Sequence, residues 1–104
     1  MSKFYIKQND TSPAIEITDT SLVGNLVGAN VVFNMRDASG TVKISRGAAT
    51  TDDTTGKLTY AWAAGDTDTA GAFSAEFEVT YADTKVETFP NFEYTEVIIT
   101  DDIA

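Results

Sequence analysis

The sequence predicts an all-β fold, a single antiparallel β-sandwich of seven to eight strands with immunoglobulin-like architecture. Residues 73–81 alternate strictly between apolar and polar side chains, which is the period of a half-buried strand. Similar short runs recur along the 104 residues, separated by Gly, Asp and Pro, and no stretch has a helical period. We expect one domain over residues 1–104, and a small barrel is the alternative architecture.

The first half of the chain predicts four strands. They are expected at residues 4–7, 13–18, 31–37 and 42–44. Pro13 has no amide proton to donate to a ladder, so the second strand should start on a sheet edge. In the third strand Val31, Phe33 and Met35 share one face, which should be buried, while the opposite face should be solvated.

The second half predicts four more strands and two long loops. The strands are expected at residues 57–62, 73–81, 85–88 and 94–100, and the loops at residues 48–56 and 65–71, where Thr, Asp and Gly interrupt the alternation. Val97 and Ile99 should face the core. Tyr60 and Trp62 share a face with Leu58, which favours core packing over a sugar-stacking platform.

The composition excludes most catalytic chemistry. The chain has no Cys and no His, so a disulfide, a thiolate zinc site, a cysteine nucleophile and a Ser-His pair are all ruled out. We therefore expect no enzyme activity, no catalytic residues, and no metal or other cofactor. The N-terminal residues lack the apolar run of a signal peptide, and no apolar stretch approaches the ~20 residues of a membrane span.

The net charge of −9 is distributed unevenly along the chain. Residues 1–50 carry five basic and four acidic side chains, net +1, whereas residues 51–104 carry two basic and twelve acidic ones, net −10. Such an acidic chain should repel nucleic acid. The acidity has two interpretations, which remain open: it keeps a sheet protein soluble, or it forms a docking face for a basic partner.

Four aspartates are candidate calcium ligands. Asp66 and Asp68 have the spacing of the first and third positions of an EF-hand loop, but Phe77 stands where the loop needs a bidentate Glu. Asp52 and Asp53 would add hard oxygen ligands if the two predicted loops met. A solvated turn is the favoured interpretation, and the sequence leaves calcium binding open.

Glu76 and Glu78 are a pair of carboxylates whose spacing allows a catalytic interpretation. Glu76 and Glu78 project from one strand face about 7 Å apart, a spacing that glycosidase carboxylates also show. Their polar neighbours indicate a wet face without the desolvation that raises a catalytic pKa, so we interpret them as solvated.

Phe92 follows Pro90 at a predicted turn and is the best candidate for a contact residue if it is exposed.

Several motifs together resemble a known family. They are LVGANVVFNMRD at residues 26–37, GKLTYAW at 56–62, GDT at 65–67, GAFSAEFEVTYAD at 71–83 and ETFPN at 87–91. Their order and spacing resemble the N-terminal domain of the baseplate upper proteins of long-tailed phages, which has an immunoglobulin-like fold.

The resemblance implies a non-catalytic virion structural protein. It implies a tail or baseplate subunit or accessory that acts by protein–protein assembly with other virion structural proteins, and it leaves self-association open. Such a protein is made in the host cytoplasm, needs no signal peptide, and binds neither nucleic acid nor membrane. A carbohydrate or cell-surface binding module, assisted by calcium, is the alternative function.

Overall fold

The computed structural model describes residues 2–103, so Met1 and Ala104 of the predicted domain lie outside the described residues. The part described is built from strands and one short 3₁₀ helix, η1 (Thr20–Leu22). The strands are β1 (Lys3–Lys7), β2 (Ile15–Thr18), β3 (Asn30–Asp37), β4 (Val42–Ala48), β5 (Thr50–Asp52), β6 (Lys57–Tyr60), β7 (Gly71–Thr80), β8 (Val86–Phe89) and β9 (Thr95–Thr100).

These strands form two sheets, which confirms the predicted sandwich. The larger sheet has the order β1-β9-β7-β3-β4, with β8 paired to β7, and the smaller sheet has the order β2-β6-β5. Neighbouring strands are antiparallel except β1 and β9, which run parallel. No helix among residues 2–103 is long and apolar enough to cross a membrane.

The strand count differs from the prediction at one place. Nine strands are seen in the described residues, where seven to eight were expected, because the predicted loop 48–56 contains β5 and the end of β4. All three residues of β5 are exposed, so it has no alternation of burial and owes its strand conformation to pairing with β6. The other predicted strands, β4 apart, agree with the structure to within two residues.

The core lies between the two sheets and is centred on Phe33. Its ring stacks on Tyr60 of the smaller sheet at 4.6 Å between centroids, meets Trp62 edge-on at 5.6 Å, and contacts Phe77 of its own sheet at 5.0 Å. The predicted burial of Tyr60 and Trp62 is therefore confirmed, and neither ring is available to stack on a sugar. The polar atoms of these two rings are hydrogen-bonded. The Trp62 Nε1 donates to the Pro13 carbonyl oxygen at 3.0 Å, and the Tyr60 hydroxyl donates to Asp66.

The outer face of β3 is not uniformly solvated, which corrects the expectation for that strand. Val32 points to this face but is only 7% exposed. Arg46 of β4 reaches across β3 to Glu78 of β7, with 3.4 Å between Nη1 and Oε1, and Val32 is the β3 residue paired with Glu78. We attribute the low exposure of Val32 to the stem of this arginine, because long charged side chains cover apolar surface beside them.

Candidate interaction surface

β8 and β9 behave as one strand that is interrupted in the middle. Both run antiparallel to β7 along the same edge, with Phe89 opposite Phe77 and Thr95 opposite Ala75. Between these two pairs β7 has one residue, whereas the segment that joins β8 to β9 has five, residues 90–94. We call residues 90–94 the excursion, because they leave the ladder where a continuous strand would need a single residue.

The excursion exposes an aromatic side chain. Pro90 cannot donate to the ladder, so pairing stops directly after Phe89. Phe92 is 83% exposed and Tyr94 is 37% exposed. Phe92 therefore has the exposure expected of a contact residue, and the partly exposed Tyr94 lies two residues away.

A hydrogen-bond network holds the base of the excursion. The Tyr81 hydroxyl donates to Glu87 Oε1 at 2.6 Å, and the Asn91 side-chain amide donates to Glu87 Oε2 and to the Thr88 carbonyl oxygen, both at 3.0 Å. The sequence does not mark Tyr81, Glu87 or Asn91 as functional. The one available signal is the turn-forming pair Asp83-Thr84, which brings Tyr81 and Glu87 together. An ordered base reduces the entropy lost when a partner buries Phe92.

The network should be visible in an alkaline titration. Burial raises the pKa of Tyr81 to about 12, and the hydrogen bond to Glu87 and the charge of that carboxylate act in the same direction. Because this folded-state pKa lies above the ordinary value of about 10, the stability gained is fully present below about pH 10 and is lost as pH rises through about 12. We expect Glu87→Gln to lower the pKa of Tyr81, measured as phenolate absorbance.

The control for this titration is Tyr81→Phe, which should remove the affected phenol and so identify it. Tyr60 also has a raised pKa, from burial and from its bond to Asp66, and Glu87→Gln should leave it unchanged. A Tyr81 titration that is the same with Glu87 and with Gln at this position would contradict the network.

An open groove adjoins the excursion on the outer face of the larger sheet. Its volume is about 280 Å³, and the side chains on its walls include Asn34, Arg36, Val42, Ser74, Glu76 and Tyr94. Val42 is 61% exposed. Within residues 2–103, neither Arg36 nor Glu76 has a partner within ion-pair distance. The groove thus combines apolar surface with one free charge of each sign, a mixture that suits a protein contact.

The acidic half of the sequence does not form one face of the molecule. Three ion pairs join a base from residues 1–50 to an acid from residues 51–104: Lys3 with Glu96, Lys43 with Asp68 and Arg46 with Glu78. The cause is the strand order, which places β3 and β4 beside β7. On this sheet Glu78 is thus paired with Arg46, and the β1–β9 ladder pairs Glu96 with Lys3, whereas Glu76 has no base within ion-pair distance among residues 2–103.

Glu76 and Glu78 occupy different surroundings on this face. Glu78 is paired with Arg46, and Glu76 lies at the groove opposite Asn34. Both side chains are partly exposed. Neither carboxylate lies in the dry, apolar surroundings that a glycosidase gives its acid.

Asp66 and Asp68 are each used locally. Asp66 Oδ2 accepts hydrogen bonds from the Tyr60 hydroxyl at 2.6 Å and from the Ala63 amide at 2.8 Å, which ties its loop to the core. Asp68 Oδ1 contacts Lys43 Nζ at 2.5 Å. The hydrogen bond from Lys43 holds the pKa of Asp68 below its ordinary value.

Asp52 and Asp53 have separate local roles. Asp52 Oδ1 accepts from the Thr54 amide at 3.0 Å, and Asp53 Oδ1 accepts from the Leu26 amide at 2.8 Å. Across the described residues, no group of three or more acidic side chains is placed to hold a metal ion. The structure does not bring the four aspartates together as a calcium site.

An immunoglobulin-like sandwich with an exposed aromatic excursion and a mixed groove is typical of domains that act through their surface. A family model described as the BppU N-terminal domain matches residues 4–102, and the chain belongs to this family of baseplate upper protein N-terminal domains. Membership confirms the resemblance seen in the sequence and supports a structural role in a phage tail or baseplate.

A solved structure supports the same fold. The chain is similar to CopC from Methylosinus trichosporium OB3b, with a TM-score of 0.56 and 11% identity over 100% of this chain and 89% of that one. At this identity the likeness shows the fold alone. A search of curated proteins found no match.

Proposed function

We propose that the chain is a non-catalytic structural subunit or accessory of a phage tail or baseplate, which assembles with other virion structural proteins. Its place is then the phage particle, after synthesis in the host cytoplasm without a signal peptide. The net charge of −9 disfavours contact with nucleic acid, and we propose no membrane contact. Family membership supports this function.

The observation that carries the proposal is the exposure of Phe92 on an ordered base. A large apolar ring costs little to desolvate and gains about 1.5 to 3 kcal/mol when it is fully buried. Tyr94 and the neighbouring groove extend the contact, and Arg36 and Glu76 offer one charge of each sign to a partner. We therefore place the assembly contact at the excursion and the groove beside it.

The test is Phe92→Ala in binding measurements with the other purified baseplate proteins of the same phage. We expect the Kd for one of them to rise about 30-fold, which corresponds to a contact of about 2 kcal/mol. The free energy of unfolding should change by less than about 0.5 kcal/mol, because the ring is exposed.

Tyr5→Ala is the matched control, since Tyr5 is an exposed aromatic residue of edge strand β1 in the same sheet. It should bind as the unmodified chain does. Equal binding by Phe92→Ala would remove the excursion from the contact, and a failure of all baseplate proteins to bind would refute the structural role.

A further inference from the structure

Three segments meet at one end of the sandwich, next to the C-terminal end of β7. They are residues 19–28, 52–56 and 81–86, and we call this region the loop end. Two hydrogen bonds join the first two segments: the Asp19 amide donates to the Gly56 carbonyl oxygen at 2.9 Å, and the Gly24 amide donates to the Asp53 carbonyl oxygen at 3.2 Å. The third segment shares a groove with the first.

The loop end exposes three aliphatic side chains. Val23, Val27 and Val86 are 45%, 76% and 59% exposed. Val27 and Val86 line the shared groove, which is open and has a volume of about 750 Å³. Two exposed valines thus lie on the wall of one groove, and Val23 is exposed on segment 19–28 beside it. Exposed apolar surface on a polar domain commonly marks a protein contact.

The carboxylates around this groove differ from those on the sheet. Asp19, Asp53, Asp83 and Glu87 accept hydrogen bonds from neutral amide and hydroxyl donors. In the part of the chain that the structure describes, none of them lies within ion-pair distance of a Lys or Arg. Their charge is therefore not compensated by an ion pair, whereas Glu78 and Glu96 of the larger sheet are each paired with a base.

The raised pKa of Tyr81 also indicates that negative charge is concentrated at the loop end. After burial and the bond to Glu87, the charges of Glu87, Asp19 and Asp83 each contribute to the raised pKa of Tyr81, which lines the same groove. Lys85 is the one cation on the groove wall within residues 2–103. A partner would have to supply positive charge to compensate the field.

We propose that the loop end is a second docking surface, which binds a protein segment that carries Lys or Arg beside an apolar side chain. The apolar residue would cover Val27 and Val86, and the cation would face Asp19 or Asp83. The inference rests on the proposed function, because the expected partner is a baseplate protein. It adds a contact separate from the excursion, which lies beyond the other end of β8.

The apolar half of the proposal is tested with the double variant Val27→Ser, Val86→Thr. We expect its Kd for the bound baseplate protein to rise at least about tenfold. Ile103→Thr is the control, because Ile103 is an exposed aliphatic residue that follows β9, beyond the opposite end of β7. Its affinity should match that of the unmodified chain.

The charged half is tested by carbodiimide cross-linking of the same complex, followed by mass spectrometry. Carbodiimide joins a carboxylate to a lysine amine in direct contact, so we expect links from Asp19 or Asp83 to a partner lysine. In Asp19→Asn, Asp83→Asn the Kd should depend less steeply on salt, because fewer charges are paired at the contact.

The outcomes separate the two proposals. Binding by the valine variant at unchanged affinity, or cross-links confined to sheet-face acids such as Glu76, would overturn the loop-end surface and leave the structural role intact. Absence of binding to every baseplate protein would overturn both.

Discussion

Replacing Phe33 by alanine is expected to lower the free energy of unfolding by about 3 to 5 kcal/mol. Phe33 is fully buried, and its ring contacts Tyr60, Trp62 and Phe77, so one side chain joins both sheets. Truncation would leave a cavity in the middle of the aromatic cluster, and the rings around it cannot all move inward at once. Urea denaturation measures the loss, and the melting temperature should fall by about 12 °C or more.

Phe33→Leu and Phe92→Ala serve as controls for this experiment. Phe33→Leu keeps most of the apolar volume and should cost about 1.5 kcal/mol or less. Phe92→Ala removes the same ring from an exposed site and should leave stability within about 0.5 kcal/mol. A loss below about 1 kcal/mol for Phe33→Ala would mean that the two sheets do not depend on this contact.

The faces of the main strands could be predicted because alternation is a local property. In β7 the inward residues Phe73, Phe77 and Val79 are buried as the pattern indicates, and Val97 and Ile99 of β9 follow the same rule. Each of these assignments needs only the period of the strand and the position of an apolar residue. No knowledge of the neighbouring strand is required.

Strand order and direction could not be predicted in this way. β1 lies parallel to β9, with Phe4 opposite Val97 and Ile6 opposite Ile99. These partners are separated by nearly the whole chain, and alternation carries no information about which edge a strand will occupy. β5 was missed for a related reason, since its ladder with β6 is its main support.

The candidate surface was predicted in part. Pro90 and the nearby aromatic residues pointed to Phe92, but its exposure depends on the register that sets residues 90–94 against a single position of β7. The charge pattern was more misleading. The acids are concentrated in the second half of the chain, yet the strand order pairs acids such as Glu78 with bases such as Arg46 and leaves unpaired acids at the loop end.

Replacing Gly56 by alanine is expected to lower the free energy of unfolding by about 2 to 3 kcal/mol. Gly56 has φ +73°, a left-handed conformation that costs a residue with a side chain about 1 to 2 kcal/mol. A Cβ at this position would also lie 2.2 Å from the Asp19 carbonyl oxygen. Because that oxygen belongs to the backbone, segment 19–28 must move and the hydrogen bond between Asp19 and Gly56 is lost, at about 1 kcal/mol.

Gly24→Ala separates the collision from the conformational strain. Gly24 has φ +80°, close to that of Gly56, but a Cβ there would meet no atom within 4 Å. It should therefore cost only the strain, about 1 to 2 kcal/mol. Urea denaturation of both variants measures the difference. Equal losses would show that segment 19–28 does not rest on Gly56, and the loop end would then lack the fixed base that its docking role requires.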